Sequence, residues 1–521
     1  MTDDVITQTA PRAASVDRHS PAVLLPLAVL FGVVAQGLFY RSALGINVAI
    51  ASVAVLAIAW RLRPVGARID RLDRWIVPAT IVFAFLPAVR VDLMLLLFDV
   101  PATLVLVAMA AVSFAGVPLT RRALDVLLVL GLVVAGRIVA GGAVLLAALP
   151  DLGRPLARKA GGRIVSVGIG LALAFPFLLV FAVLFSSADA VFSSALTNVF
   201  DLRKWSLGEI LARILLAVTF AWLAGGIFVI ASRGADTAMP PLLQHLRGLL
   251  SSTAGTTMLV ALDALFGFFV AVQIAYLFGG LDTLNATGLT YAAYARRGFF
   301  ELIAVAVLTG GLVFALELVI GKRSRVYVGA ALALVVASLV VVASAAYRMQ
   351  LYQLAYGWTE QRFYALAGIA WLGTSGLAAA VLIMQDATRW LLHVGGLIAL
   401  AVAVATNLFG PSAFVARQNL ERVVDQTGLP SDAHRELDAS YLVSLGDGAV
   451  PTLIDYLPRL GPSDREALGS ALRTFALEGR DLSPSGPQSL NVDRERARQA
   501  LLASADELRR YPLLRPSPPR R

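Results

Sequence analysis

Two carboxylates stand inside runs of residues that are otherwise apolar. Asp263 lies about six residues into the run 257–279, and Glu317 lies near one end of the next run, 299–320. As helices rising 1.5 Å per residue, these runs would place Asp263 about 9 Å deep. An ionised group at a bilayer centre costs about 2.5–3.5 kcal/mol on insertion scales. If the runs are antiparallel neighbours, the carboxylates approach each other at similar depth and one keeps a proton at neutral pH, as in a proton-coupled site. The plainer alternative is an Asp263 that is protonated, or capped by Ser, Thr or backbone groups. Glu301 and Glu317 are 16 residues apart, which sets them about 160° around a helix, so they do not form one relay.

A second polar set falls at the opposite ends of such runs: Asp189, Arg213, Gln273, Arg297, Glu301, Arg348, Glu360 and Arg362. It is ringed by Tyr291, Tyr294, Tyr352, Tyr356, Trp358 and Tyr364. Aromatics at this depth read as an interfacial belt, and the charges as interhelical pairs and snorkelling side chains. A polar cavity opening on that side is the functional alternative. Arg297 and Glu301 have the i,i+4 spacing of a helical ion pair, with Asp189 or Arg348 as a third member.

Several chemistries are excluded. The chain has no cysteine, so it has no disulfide, thiolate metal site or Cys nucleophile. The four histidines, His19, His245, His393 and His434, are scattered and predict no metal site. There is no phosphate-binding Gly-rich loop ending in Lys-Ser/Thr, no His-Glu-x-x-His and no Gly-x-Ser-x-Gly. No catalytic residue, cofactor site or metal site is assigned. Lipid-linked sugar transferases need an acidic motif in a large first outer loop, and here that loop is only a few residues around Arg41.

The elements that must carry these residues follow from composition. Of 521 residues, 58% are hydrophobic and 15% charged, and the mean hydropathy is +0.76, values outside the soluble globular range. Apolar runs long enough to cross about 30 Å of hydrocarbon recur at 22–40, 43–60, 75–90, 93–117, 126–149, 165–185, 207–232, 257–279, 299–320, 327–347, 365–384 and 390–409. The fold class is an all-α polytopic bundle of 11–13 spans. The net charge of +10 lies wholly in this part, because Gly410 to Arg521 has 15 Arg against 15 acidic residues. It speaks for lipid headgroups as partners and against nucleic acid.

Basic residues cluster in the loops 61–74, 150–164, 233–256 and 321–326, which the positive-inside rule assigns to the cytoplasm. The first loop conflicts with the other three by one crossing. The conflict would be relieved if 126–149, interrupted by Gly136, Arg137, Gly141 and Gly142, were a broken or re-entrant pair. It would also be relieved if 75–117 crossed once or three times. Either repair puts the N-terminus inside and the C-terminal region outside.

Outside the spans, residues 1–20 and 511–521 read as disordered. The first run, at 19 residues, is too long for a signal-peptide core. The stretch 187–201 has an apolar face suited to a helix in the headgroup plane. After Phe409 the pattern becomes that of a small all-α extramembrane domain, 410–510. Ser463-x-x-Glu466 predicts a capping box for a helix at 464–478, and Ser412 and Ser431 are expected N-caps of two earlier helices.

Five segments form a recognisable set: Ser187-Ala-Asp189; Gln273-x-x-Tyr276-Leu-Phe-Gly-Gly280; Thr290 to Leu302; Ser344 to Tyr364, containing Tyr356-Gly-Trp-Thr-Glu-Gln-Arg-Phe-Tyr364; and Leu437-Asp-x-x-Tyr-Leu442 continuing to Leu453. Together they resemble a bacterial family of polytopic membrane proteins known as domains of unknown function four-one-five-three and four-one-seven-three, over roughly 165–460. The resemblance implies a many-helix membrane protein and transfers no activity. The expected function is therefore a non-enzymatic envelope or regulatory component acting through its C-terminal helices, with an envelope protein as partner. A secondary transporter or flippase is the second reading and an intramembrane enzyme the third.

Overall fold

In a bilayer the backbone must satisfy its own hydrogen bonds, so apolar runs of this length become helices. The computed structural model describes residues 20–90, 92–122, 124–147, 207–233, 248–278, 299–425, 436–477 and 486–513. Among them, nine helices are long and apolar enough to cross a membrane, with two shorter apolar helical stretches, Ile46–Leu62 and Leu130–Ala143. The chain is an all-helical, multi-pass membrane protein.

A first group comprises α1 (Pro21–Phe39), α2 (Ile46–Leu62), α3 (Ile76–Val89), α4 (Leu93–Phe114), α5 (Leu124–Ala147) and α6 (Leu207–Arg233). It packs around one core that includes Phe31, Val107, Ala111 and Phe228. Small residues let these backbones approach closely. A Cβ on Gly226 would stand 2.6 Å from the Ile138 Cα, and one on Gly32 would stand 2.7 Å from the Ala221 Cβ.

The second group is α7 (Ser252–Phe278), α8 (Phe299–Val319), α9 (Arg325–Tyr356) and α10 (Glu360–Met384). Its cores are built around Leu259, Tyr327 and Leu334 and around Ala345, Met349 and Ile369. Helix α11 (Leu391–Phe409) joins the groups, because Leu400, Ala403 and Val404 pack on Phe83, Leu86 and Leu106 of α3 and α4.

The expected break in 126–149 is corrected, and the runs 75–90 and 93–117 stand as two helices. Residues 124–147 form one continuous helix. Gly141 and Gly142 do not break it because they serve packing, the first against Gly226 and the second against the Trp222 ring. Residues 75–117 form two helices, α3 and α4, with Pro87 and Pro101 inside them.

Neither repair of the loop conflict is found, but the basic loops that are described share one end. Asp73 accepts hydrogen bonds from Leu119 and Thr120, so the 61–74 and 115–122 loops share one end of the bundle. Leu250 pairs with Ile320 and Arg323 with Asp386, which gathers the 248–251, 320–325 and 385–390 turns. The antiparallel packing of α11 on α4, with Asn407 against Asp99, sets those turns at the same end as 61–74. Loop 150–164 lies outside the described residues.

The opposite end carries the C-terminal helices α12 (Pro411–Val424), α13 (Ala439–Ser444), α14 (Val450–Tyr456), α15 (Pro462–Leu477), α16 (Val492–Ala503) and α17 (Ala505–Leu508). They enclose their own apolar core of Val415, Leu420, Leu442, Leu453, Leu468 and Leu501, among others. Trp358 and Phe363 of the membrane part insert into its edge.

Two expected caps are displaced. Helix α15 begins at Pro462, two residues earlier than a Ser463 cap requires, because proline suits the first turn, where its missing N–H costs nothing. Helix α12 is capped by Gly410 in a left-handed conformation (φ 67°), which leaves the Ser412 hydroxyl to other partners. Ser431 and the stretch 187–201 lie outside the described residues, as do residues 1–19 and 514–521.

Candidate functional site

The polar groups of the described chain converge where the C-terminal helices meet the bundle. The turn between α9 and α10 is the pivot. Gly357 adopts φ 78°, a conformation that glycine takes without steric cost. Asn419 of α12 then pairs with the Trp358 backbone in both directions: its Nδ2 donates to the carbonyl and its Oδ1 accepts from the N–H, each at 2.8 Å. Arg422, one turn on, donates to the carbonyls of Gln353, Leu354 and Ala355. Leu354 and Ala355 are last-turn acceptors of α9 without a partner within the helix, and Gln353 also accepts from the Gly357 N–H at 2.8 Å. Arg362 donates to the carbonyls of Tyr356 and Gly357 and stacks 4.0 Å over the Tyr352 ring.

Two segments singled out in the sequence meet here. Asp438 caps α13 by accepting from the Tyr441 N–H at 2.8 Å. The Tyr441 hydroxyl in turn accepts from the Glu360 N–H at 3.0 Å. Trp358 and Phe363 pack edge-on and tilted against Phe414, which seals the junction with apolar surface.

The link between α3 and α4 supplies the charged floor. Arg90 donates to the Asn407 carbonyl and to both carboxylate oxygens of Asp493, at 3.2 and 2.9 Å. This pair is largely enclosed, with side chains 14% and 7% exposed. Burial pushes the Asp493 carboxyl above the usual range, and Arg90 opposes that shift. A Cβ on Gly410 would stand 2.6 Å from the Arg90 guanidinium, so glycine there makes room for the arginine. Asn491 donates to the Pro87 carbonyl at 2.8 Å, a second tie to the end of α3.

Beside the ion pair, the Ser412 Oγ lies 2.5 Å from Asp92 Oδ1 and 3.2 Å from Glu360 Oε1. The Tyr364 hydroxyl is enclosed without a hydrogen-bond partner and faces the charges of Asp92, Glu360 and Asp99. About two helical turns further into α4, the buried Asp99 accepts from Asn407 Nδ2 through both oxygens. Asn407 Oδ1 is buried with no donor.

Of the residues expected from the sequence to form the polar set, the structure brings Glu360 and Arg362 to this junction. Arg348 is buried within α9. Arg213 stacks 4.2 Å from the Tyr40 ring beside the Arg41–Glu209 ion pair, in the first helical group. Glu301 is exposed at the start of α8, and Gln273 lies on α7. Asp189 and Arg297 lie outside the described residues, and with them the expected Arg297–Glu301 pair.

The expected meeting of Asp263 with Glu317 does not occur. The Glu317 side chain is 4% exposed and paired with Arg323 at 3.2 Å, and it accepts from the Tyr327 hydroxyl at 3.1 Å. Asp263 is half-buried, with one oxygen enclosed and unpartnered. The guanidinium contributed by the α8–α9 turn satisfies Glu317 locally. An apolar cavity of about 420 Å³ between α8, α9, α10 and α11 is lined by Gly310, Phe314, Leu339, Trp371 and Gly395, and Asp263 is not among its walls. Among the described residues, no group of three His, Cys, Asp or Glu side chains is arranged to hold a metal ion.

The residue pattern assigns no site role to Arg90, Asp92, Asp99, Asn407 or Asp493, and Ser412 reads there as a helix cap. The local signal for Asp92 and Asp99 is their place at the start of an apolar run.

Residues 77–456 match the family described as Domain of unknown function (DUF4153). The chain belongs to this family. The match starts at α3, well before the segments that carry the resemblance in sequence, and ends with α14. It thus takes in Arg90, Asp92, Asp99, Glu360 and Ser412 but stops short of Asp493. No curated protein and no solved structure matches the chain.

Proposed function

We propose that this multi-pass membrane protein is a non-catalytic envelope component whose C-terminal helices, residues 410–510, form an extramembrane unit held rigidly on the bundle for an envelope protein partner. The observation that carries this reading is the use of the polar groups. Arg90, Asn419, Arg422, Arg362 and Glu360, the side chains most suited to substrate chemistry, are engaged in holding the C-terminal helices or the turn beneath them.

The orientation follows the charge. The loops 61–74, 115–122, 320–325 and 385–390 share one end and are rich in Arg and Lys, and positive-inside bias assigns that end to the cytoplasm. The C-terminal helices then face the outside. A cysteine replacing the exposed Leu502 in this cysteine-free chain is expected to react with an impermeant thiol reagent in intact cells. Protection until lysis overturns the orientation.

The partner reading is tested by a photo-crosslinking residue at exposed Leu477 or Leu502. A discrete envelope protein should be trapped in growing cells, and the adduct should fall when Arg90→Ala loosens the C-terminal helices. A second reading, proton-coupled transport, is favoured by one observation, the buried Asp99–Asn407 pair with its unpartnered amide oxygen. Proton flux into proteoliposomes that is lost in Asp99→Asn, together with no adduct, would replace the first reading by the second.

A further inference from the structure

The contacts of Ser412 cannot all be satisfied by two ionised carboxylates. A hydroxyl has one proton to donate. Its oxygen lies within hydrogen-bond distance of Asp92, from the α3–α4 link, and of Glu360, from the start of α10. With both carboxylates ionised, one of them would lack the serine's proton while facing the other across a largely buried space.

The surroundings add to that difficulty. The backbone of the 446–449 turn closes the cluster, since a Cβ on Gly448 would stand 3.2 Å from Asp493 Oδ2 and 3.3 Å from Ser412 Cβ. Asp447 of that turn and Asp493 of α16 both act on Asp92 as like charges. Asp99 and the Tyr364 hydroxyl lie on the membrane side. Against these stand Arg90, already engaged with Asp493 and the Asn407 carbonyl, and Arg496, which acts on Asp493.

Protonating either carboxylate would use each proton once, and the shorter contact, 2.5 Å to Asp92 against 3.2 Å to Glu360, favours the proton on Asp92. Asp92 is protonated and donates to Ser412 Oγ, and Ser412 donates to the Glu360 carboxylate. We propose that a proton held on Asp92 latches the C-terminal helices to the membrane bundle, through Ser412 and on to Glu360. The three residues come from the first helical group, the C-terminal helices and the second group, so one proton bridges all three parts.

Physical chemistry supports the same direction. Burial is the largest effect on Asp92 and pushes its carboxyl up, and the Asp493 and Asp447 charges add to it, against the pull of Ser412 and Arg90. A group raised in the docked state contributes docking stability that is complete below its ordinary value and is lost as pH rises through the raised one. Deprotonation leaves Ser412 serving a single carboxylate and sets the other against its neighbours. The latch therefore loosens on the alkaline side. This inference concerns how the C-terminal helices are held and is independent of whether a partner protein binds them.

The test is hydrogen–deuterium exchange of amides 439–456 in the full chain in lipid nanodiscs, corrected for intrinsic exchange, at about pH 5.5 and about pH 8.5. The corrected rate in the wild type is expected to rise by about tenfold between the two as the docked Asp92 gives up its proton. Asp92→Asn, whose amide donates to Ser412 as the protonated acid does, should hold the rise below about twofold. If that variant does not fold, Glu360→Gln serves instead, because it removes the second carboxylate and should also flatten the profile. A flat wild-type profile, or a rise of the same size in the variant that folds, overturns the proposal.

Discussion

The two ends of the membrane bundle hold their polar groups in different ways. At the end rich in basic loops, the contacts join neighbours in the chain. Asp73 accepts from the N–H groups of Leu119 and Thr120, 46 and 47 residues away, and Ser252 meets Ser324 across 72 residues. At the other end, Arg90 meets Asp493 across 403 residues, Ser412 meets Asp92 across 320, and Asn407 meets Asp99 across 308. The first kind of contact closes loops between successive helices. The second kind is assembled only when both helical groups and the C-terminal helices are in place, so it reports on assembly of the whole chain.

Breaking the long-range end should cost most. Arg90→Ala leaves Asp493 largely buried beside Asp92 and Asp447 without its cation, and stranding one partner of a buried pair costs about 3–5 kcal/mol. Thermal unfolding in detergent should show a clear loss, and Arg90→Ala/Asp493→Ala should recover part of it because no charge is then stranded. Strictly additive losses would place the two residues in separate roles.

The local end can be broken by Asp73→Ala, which removes the acceptor for two backbone N–H groups and the Thr120 hydroxyl. The truncation strands no charge and the half-buried Thr120 can turn its donors to water, so the loss stays near that of one hydrogen bond to a charged group, about 1.5–3 kcal/mol, and the Arg121–Asp70 pair beside it persists. The expected loss of melting temperature is smaller than for Arg90→Ala. Exchange should rise in 115–122 and stay unchanged in 439–456. A rise at both ends would erase the distinction between them.

Arg422→Ala sharpens the comparison further. It leaves the α9 carbonyls of Leu354 and Ala355 without their side-chain donor, while Gln353 keeps the Gly357 N–H, at about 1–3 kcal/mol for unsatisfied groups, less where water reaches the exposed Leu354 end. Exchange should increase in the 357–360 turn and in α12 together. An increase in α12 alone would show that the cap does not couple the two. The smallest effect is expected for Arg509→Ala. Its partner Asp506 is 93% exposed and its own side chain 75%, so the melting temperature should not move. Exposed pairs of this kind contribute little.

The class of the molecule and the places of its helices were legible in the residues alone. Runs of about twenty apolar residues leave the backbone one way to satisfy itself in hydrocarbon, and α1, α4, α6, α7, α8 and α11 fall where those runs predict. The segments 356–364 and 437–442 were legible as distinctive, although reading the first as a belt or a cavity wall missed its use in joining the bundle to the C-terminal helices. Glycine was ambiguous for a physical reason: Gly141 and Gly142 have the composition of a helix break, and only the α6 backbone at Gly226 and the Trp222 ring lying against them turn that into close packing. Charge was ambiguous in the same way. Asp263 and Glu317 looked alike in sequence until Arg323 and Tyr327 were placed beside one of them. Helix formation depends on neighbours three and four residues away, whereas the ionic surroundings of Asp92, Asp493 and Ser412 depend on partners some three to four hundred residues distant. Those partners are chosen by how the helical groups pack, so only the tertiary structure decided where the polar junction lies.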